Sequence, residues 1–127
     1  MKSVTPVMIV DEVEPCVKFW KERLGFQVTV EVPEGDKLGF VILAKEGVQL
    51  MYQSWASVKK DVPDLAAKGV KSDVSLYFIV DDLSSVEGSL REVPKVIPHR
   101  ETFYGATEIG VCDPAGFLMC FSQHKNG

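Results

Sequence analysis

Apolar positions along this chain switch between two periods, and the switches predict an order of elements that occurs twice. An apolar run at residues 4 to 10 reads as a strand and is broken by Asp11-Glu12. Val13, Cys16, Val17, Trp20 and Leu24 then recur at helical spacing and define a core-facing helix. Pro15 falls in the first turn, where its missing N–H has no intrahelical partner to lose, and Gly25 stands where such a helix terminates. Three strands are expected next, at about 26 to 32, 38 to 44 and 48 to 53. The turn residues Pro33-Glu34-Gly35-Asp36 and Lys45-Glu46-Gly47 separate them. The order is βαβββ.

From Ser54 to Asp73 the periodicity lapses. Pro63 is placed to begin a short helix and Gly69 to end it, so residues 54–73 read as a surface connection with one or two helical turns. The βαβββ order then returns, with a strand at 74 to 80 and a helix from Leu83 to about Glu92 striped by Leu83, Val86 and Leu90. Strands near 95 to 101, 105 to 112 and 117 to 123 follow. Gly88 costs the helix about 1 kcal/mol relative to alanine. The two halves also match residue by residue. Val7-Met8-Ile9-Val10-Asp11-Glu12-Val13 reads against Tyr77-Phe78-Ile79-Val80-Asp81-Asp82-Leu83, an offset of 70. Gly47-Val48-Gln49-Leu50-Met51-Tyr52 reads against Gly116-Phe117-Leu118-Met119-Cys120-Phe121, an offset of 69. The expectation is one α+β domain over residues 1–127, built from modules at about 1–53 and 74–124.

At 127 residues with 46% apolar content, the chain can bury roughly two thirds of its unfolded surface without a disulfide or a metal. Cys16, Cys112 and Cys120 have no metal-type spacing and cannot all pair within the chain, so a reduced, cytoplasmic setting is expected. A net charge of −4 argues against nucleic acid as a partner, because a phosphate backbone requires a basic face. No apolar stretch approaches the ~20 residues that span a bilayer, and the first residues lack a signal-peptide core, so no membrane partner is expected.

Candidate chemistry is sparse. His99 and Glu101 have the period-2 spacing of an acid–base or ligand pair on one strand face, although a cross-strand polar pair on the surface is the favoured reading. His124, near the chain end, reads as solvated. Cys120 is either a reactive thiol or a core residue, and its setting in Phe117-Leu118-Met119-Cys120-Phe121 favours the core. No nucleophile, base and orienting group come together in the sequence. Aromatic side chains offer more. Trp55 follows the strand ending in Tyr52-Gln53, and Phe103-Tyr104-Gly105 turns into a strand bearing Glu108. Trp55 and Tyr104 read either as stacking surfaces or as structural anchors. Glu101 and Glu108 read as solvated charges or as a source of negative potential.

Phe19-Trp20-Lys21-Glu22-Arg23-Leu24-Gly25-Phe26 resembles the "FY…LGF" signature of the glyoxalase/bleomycin-resistance/dihydroxybiphenyl-dioxygenase superfamily, the vicinal oxygen chelate fold. Asp113-Pro114-Ala115-Gly116 resembles its "DPxG" turn. The resemblance implies paired βαβββ modules whose mixed, curved sheets enclose a cleft. In metal-using members the ion is held by His, Glu or Gln on the first and last strands of each module, and the motifs carry those four positions onto Thr5, Met51, Ser75 and Cys120. The internal repeat relates the same four in pairs. A thioether, a thiol and two hydroxyls do not replace imidazole and carboxylate ligands, so no metal or other cofactor is expected. Gln49 and Gln53 lie within two places of Met51, and a shifted register would supply one oxygen ligand without making a site.

The lining expected of the cleft is therefore Val7, Met51, Tyr77 and Cys120, with Thr5 and Ser75 as hydroxyl handles and Trp55, Tyr104 and Glu108 nearer the mouth. That set suits a planar, partly cationic organic molecule. The implied function is metal-independent binding, as in the bleomycin-resistance branch, with sequestration of an antibiotic-like ligand by a homodimer. Two other readings stay open: a divergent metal-dependent lyase, isomerase or extradiol dioxygenase with differently registered ligands, and a structural module with a filled cleft.

Overall fold

The computed structural model describes residues 3–68 and 74–125. It divides into two compact units. The first contains β1 (Val7–Val10), α1 (Glu14–Leu24), β2 (Gln27–Glu34), β3 (Lys37–Lys45), β4 (Val48–Ser54), α2 (Trp55–Asp61) and α3 (Pro63–Lys68). Its sheet has the order β1-β4-β3-β2, with β1 parallel to β4 and the other pairs antiparallel. The second contains β5 (Leu76–Ile79), α4 (Leu83–Ser89), β6 (Ile97–Glu101), β7 (Ala106–Cys112) and β8 (Leu118–His124). Its order is β5-β8-β7-β6, with β5 parallel to β8.

Each unit thus has a four-stranded mixed sheet, and the sequence repeat reappears as strand register. Val7 lies opposite Met51, and Tyr77 lies opposite Cys120. Offsets of 70 and 69 carry the first pair onto the second.

In the first unit α1 buries Cys16, Trp20 and Leu24 against a sheet face made of Met8, Val10, Val41, Leu43, Leu50 and Tyr52. The Trp20 indole N–H donates to the Tyr52 hydroxyl at 2.8 Å inside that layer, so neither polar tip is buried without a bond. Gly25 ends α1 with φ of +71°, a left-handed conformation that a Cβ would penalise. Lys45 Nζ donates to the Leu24 carbonyl at 2.7 Å, satisfying one of the open carbonyls of the last turn.

The connection is more helical than its composition predicts. Ser54 ends β4 and caps α2, its Oγ accepting from the Ser57 N–H at 3.1 Å. Helix therefore begins at Trp55, with Pro63 opening α3 as expected. Gly69 lies outside the described residues.

In the second unit α4 packs on the face that carries Phe78, Ile109, Met119 and Phe121, and its Leu83 N–H is fixed by Gln123 Oε1 at 2.8 Å. The helix stops at Ser89, three residues short of Glu92, with Leu90 buried just beyond. The Asp113 turn forms as its sequence implies. Asp113 Oδ1 accepts from the N–H groups of Ala115 at 3.1 Å and Phe117 at 2.8 Å, which aims the chain into β8.

Candidate functional site

The sheet face of the second unit that α4 leaves uncovered gathers most of the polar chemistry in that unit. Strand alternation and register bring Tyr77, Arg100, Glu108, Cys120, Ser122 and His124 to it. Tyr77 sits opposite Cys120, Glu108 opposite both Ser122 and Arg100, and His124 opposite Ala106. Tyr104 joins them from the turn between β6 and β7.

Glu108 is the centre of the group. It interrupts an otherwise apolar stretch of β7, and only 1% of it is exposed. Its Oε2 accepts from the hydroxyls of Tyr104 at 2.5 Å and Tyr77 at 3.0 Å. Its Oε1 accepts from Arg100 Nη2 at 3.0 Å and Nε at 3.3 Å. Burial acts to raise the carboxyl pKa, but the hydrogen bonds from Tyr104, Arg100 and Tyr77 outweigh it and bring the value down to about 2. The same bond to Glu108 pushes Tyr104 up to about 12 and raises Arg100 above its ordinary value. Ser122 is fully buried beside the carboxylate, and among the described residues its hydroxyl meets no partner within hydrogen-bonding geometry.

The tyrosines are pinned at their hydroxyls and open on their rings. Tyr77 is 50% exposed and Tyr104 is 47% exposed. The Tyr77 hydroxyl also lies 2.9 Å from His124 Nε2, and the imidazole stands 6.1 Å from each tyrosine ring, centroid to centroid. Phe103 is wholly exposed next to Tyr104. A residue with two rotatable side-chain bonds, held at its far end, loses little further freedom when a ligand stacks on it.

Glu108, Tyr104 and Cys120 are poorly suited to proton transfer or nucleophilic attack. Both oxygens of Glu108 are occupied, and a carboxylate with a pKa of about 2 is a weak base near neutral pH. Tyr104 ionises only near 12. Burial pushes the Cys120 thiol up, with the Glu108 charge adding to the effect, so little nucleophilic thiolate forms.

Sequence reasoning placed Tyr77, Tyr104, Glu108 and Cys120 in one site, and the second unit brings these four together. Glu108, however, is buried and paired rather than open at a mouth, because three donors from separate segments close over it. Ser75 lies exposed just before β5. In the first unit Val7 and Met51 are register partners, Thr5 is half-buried ahead of β1, and Trp55 is half-buried at the start of α2.

His99 does not pair with Glu101; its Nδ1 meets Glu87 Oε1 of α4 at 2.6 Å. Arg100, Ser122 and His124 were missed. The signals for them were the period-2 run from Cys120 through Ser122 to His124 and the opposite-charge pairing of Arg100 with Glu108.

The residues at the four positions that the resemblance carries over from metal-using relatives do not fit a metal. Thr5 and Met51 in the first unit, and Ser75 and Cys120 in the second, offer two neutral hydroxyls, a thioether and a thiol whose ionisation burial opposes. Among the described residues, no three His, Cys, Asp or Glu side chains gather as ligands elsewhere.

These elements define an α+β protein with the glyoxalase/bleomycin-resistance/dioxygenase fold, and comparison with solved structures agrees. A glyoxalase/bleomycin resistance protein/dioxygenase family enzyme from Burkholderia phytofirmans PsJN matches with a TM-score of 0.78 at 15% identity, over 95% of this chain and 97% of that one. A bleomycin-binding protein in complex with bleomycin matches with a TM-score of 0.68 at 19% identity, over 98% of this chain and 100% of the other. An antibiotic binding protein from Streptomyces sp. CB03234 matches with a TM-score of 0.71 at 18% identity, over 98% of each chain. No protein-family model matches the sequence, and no curated protein matches it by sequence. Among the described residues, no helix is long and apolar enough to cross a membrane.

Proposed function

We propose that this protein binds a small organic molecule with a planar aromatic portion, without a metal and without turning it over. The reading rests on one observation above the others: Tyr77 and Tyr104 present half-exposed rings while their hydroxyls are locked onto a buried carboxylate. A platform fixed before the ligand arrives makes stacking stronger, because ordering it costs little. Structures with this fold include a bleomycin-binding protein and an antibiotic binding protein, which supports an antibiotic-like ligand held by sequestration; the cytoplasm is the compartment proposed, from three cysteines that cannot all pair within the chain. Among the described residues each sheet ends on edge strands, β1 and β2 in one and β5 and β6 in the other, and a homodimer would cover some of that edge.

Calorimetric titration with a panel of planar aromatic antibiotics and dyes tests the reading. Binders are expected at micromolar concentration, with affinity falling by roughly 1 to 3 kcal/mol in each of Tyr77→Leu and Tyr104→Leu. Failure of the whole panel, or unchanged affinity in both tyrosine variants, refutes it.

A further inference from the structure

The solvent-facing charge on this platform has the opposite sign from the one its sequence suggests. Glu108 carries the only formal negative charge that the registers of β5 to β8 bring to this face, and it is 1% exposed with both oxygens already accepting hydrogen bonds. Arg100 neutralises it. The Arg100 side chain is itself 54% exposed, and among the described residues it uses only Nε and one Nη2 hydrogen, both on Glu108. A guanidinium has five N–H donors in a planar fork, so three remain beyond the two given to Glu108, on a half-exposed side chain that shares this carboxylate with the Tyr104 hydroxyl. Its neighbours His99 and Glu101 belong to the other face by strand alternation, and His99 is engaged by Glu87 of α4.

We infer that Arg100 sets the ligand class of this face, selecting planar aromatic molecules that carry a carboxylate or similar oxyanion over cationic ones. The inference rests on the binding role proposed above and sharpens it. A ring stacked on Tyr104 or Tyr77 brings its substituent to the open edge of the guanidinium, where an anion gains charge-assisted hydrogen bonds. A cationic substituent meets a like charge there and finds no free acid, because Glu108 has no unoccupied oxygen. The partly cationic ligand expected from the sequence rests on Glu108 and on the faces of the aromatic rings, and the burial of Glu108 removes the first of these.

Three probes with one ring system separate the effects: naphthalene carboxylate, methylnaphthalene and naphthylmethylammonium, titrated calorimetrically into the full chain at low salt near neutral pH. The carboxylate should bind roughly tenfold tighter than the neutral probe, the equivalent of one charge-assisted hydrogen bond, and the ammonium should bind most weakly. Arg100→Gln should bring the carboxylate to within about twofold of methylnaphthalene, and Arg100→Lys, which keeps the charge but loses the fork, should preserve the order with a smaller gap. Circular dichroism checks that both variants fold, and shifts of the Arg100 Nε–H resonance in wild type report the contact independently. An ammonium that binds as tightly as the carboxylate, or a preference that survives Arg100→Gln in a folded protein, overturns the inference while leaving the stacking role standing. If none of the three probes binds, the binding role falls with it.

Discussion

Replacing Gly110 by alanine tests whether close approach of two strands sets the geometry of the platform. Gly110 lies on β7 opposite Ile97 of β6 and Cys120 of β8. A Cβ at that position would stand 2.8 Å from Ile97 Cδ1 and 2.9 Å from both its Cβ and Cγ1. Two of these atoms are close to the backbone, so a rotamer change alone does not relieve the contact. Overpacking of this kind costs about 1–3 kcal/mol, and the lower unfolded-state entropy of alanine returns roughly 0.4–1 kcal/mol. The net loss is about 0.5–2 kcal/mol. At ~2.1 cal/mol/K per residue, a chain of 127 residues loses about 4 °C per kcal/mol, so the melting temperature should fall by roughly 2–8 °C. Ile97→Ala removes two of the three close atoms. The loss caused by Gly110→Ala should therefore shrink in that background, with a coupling of at least about 0.5 kcal/mol in the double-mutant cycle. Arg100 follows Ile97 on the same strand, so the single variant should also weaken the carboxylate probe. A melting temperature at or above wild type, or strict additivity with Ile97→Ala, would refute the packing argument.

Other expectations follow from the same geometry. Glu108 has its pKa lowered from 4.5 to about 2 in the folded chain, so it stabilises fully above about 4.5, and that contribution is lost as pH falls toward 2. The difference in urea midpoint between wild type and Glu108→Gln should accordingly be largest near neutral pH and close below about 4.5; a difference independent of pH would contradict the assigned hydrogen bonds. Added Ni²⁺, Zn²⁺ or Mn²⁺ should leave the melting temperature unchanged, since a micromolar site would raise it by mass action. A chelator-reversible rise that persists without His99 and His124 would show that the donor set has been misjudged. Light scattering at tens of micromolar should give twice the mass of one chain, and a monomer mass would exclude the proposed homodimer.

What could be read in the sequence was local. The first turn of α1 with its Pro15, the end of that helix at Gly25, the Asp113 turn and the alternation of the strands each depend on a few neighbouring residues, and their backbone preferences hold wherever the segment lies. The repeat related Val7 to Tyr77 and Met51 to Cys120, and the fold turns that equivalence into one register, with Val7 opposite Met51 and Tyr77 opposite Cys120. The helix beginning at Trp55 was less legible, because its one cap signal, Ser54, sits in a stretch without hydrophobic periodicity. Tertiary structure decided the character of Glu108. Its partners are Tyr77, 31 positions away on β5, Arg100 on β6 and Tyr104 in a turn. A carboxylate in a strand reads as a free charge until the fold shows which donors reach it. Desolvation and pairing depend on distance in space, and here they turn the one acid of the platform into its anchor and leave Arg100 as the charge that faces solvent.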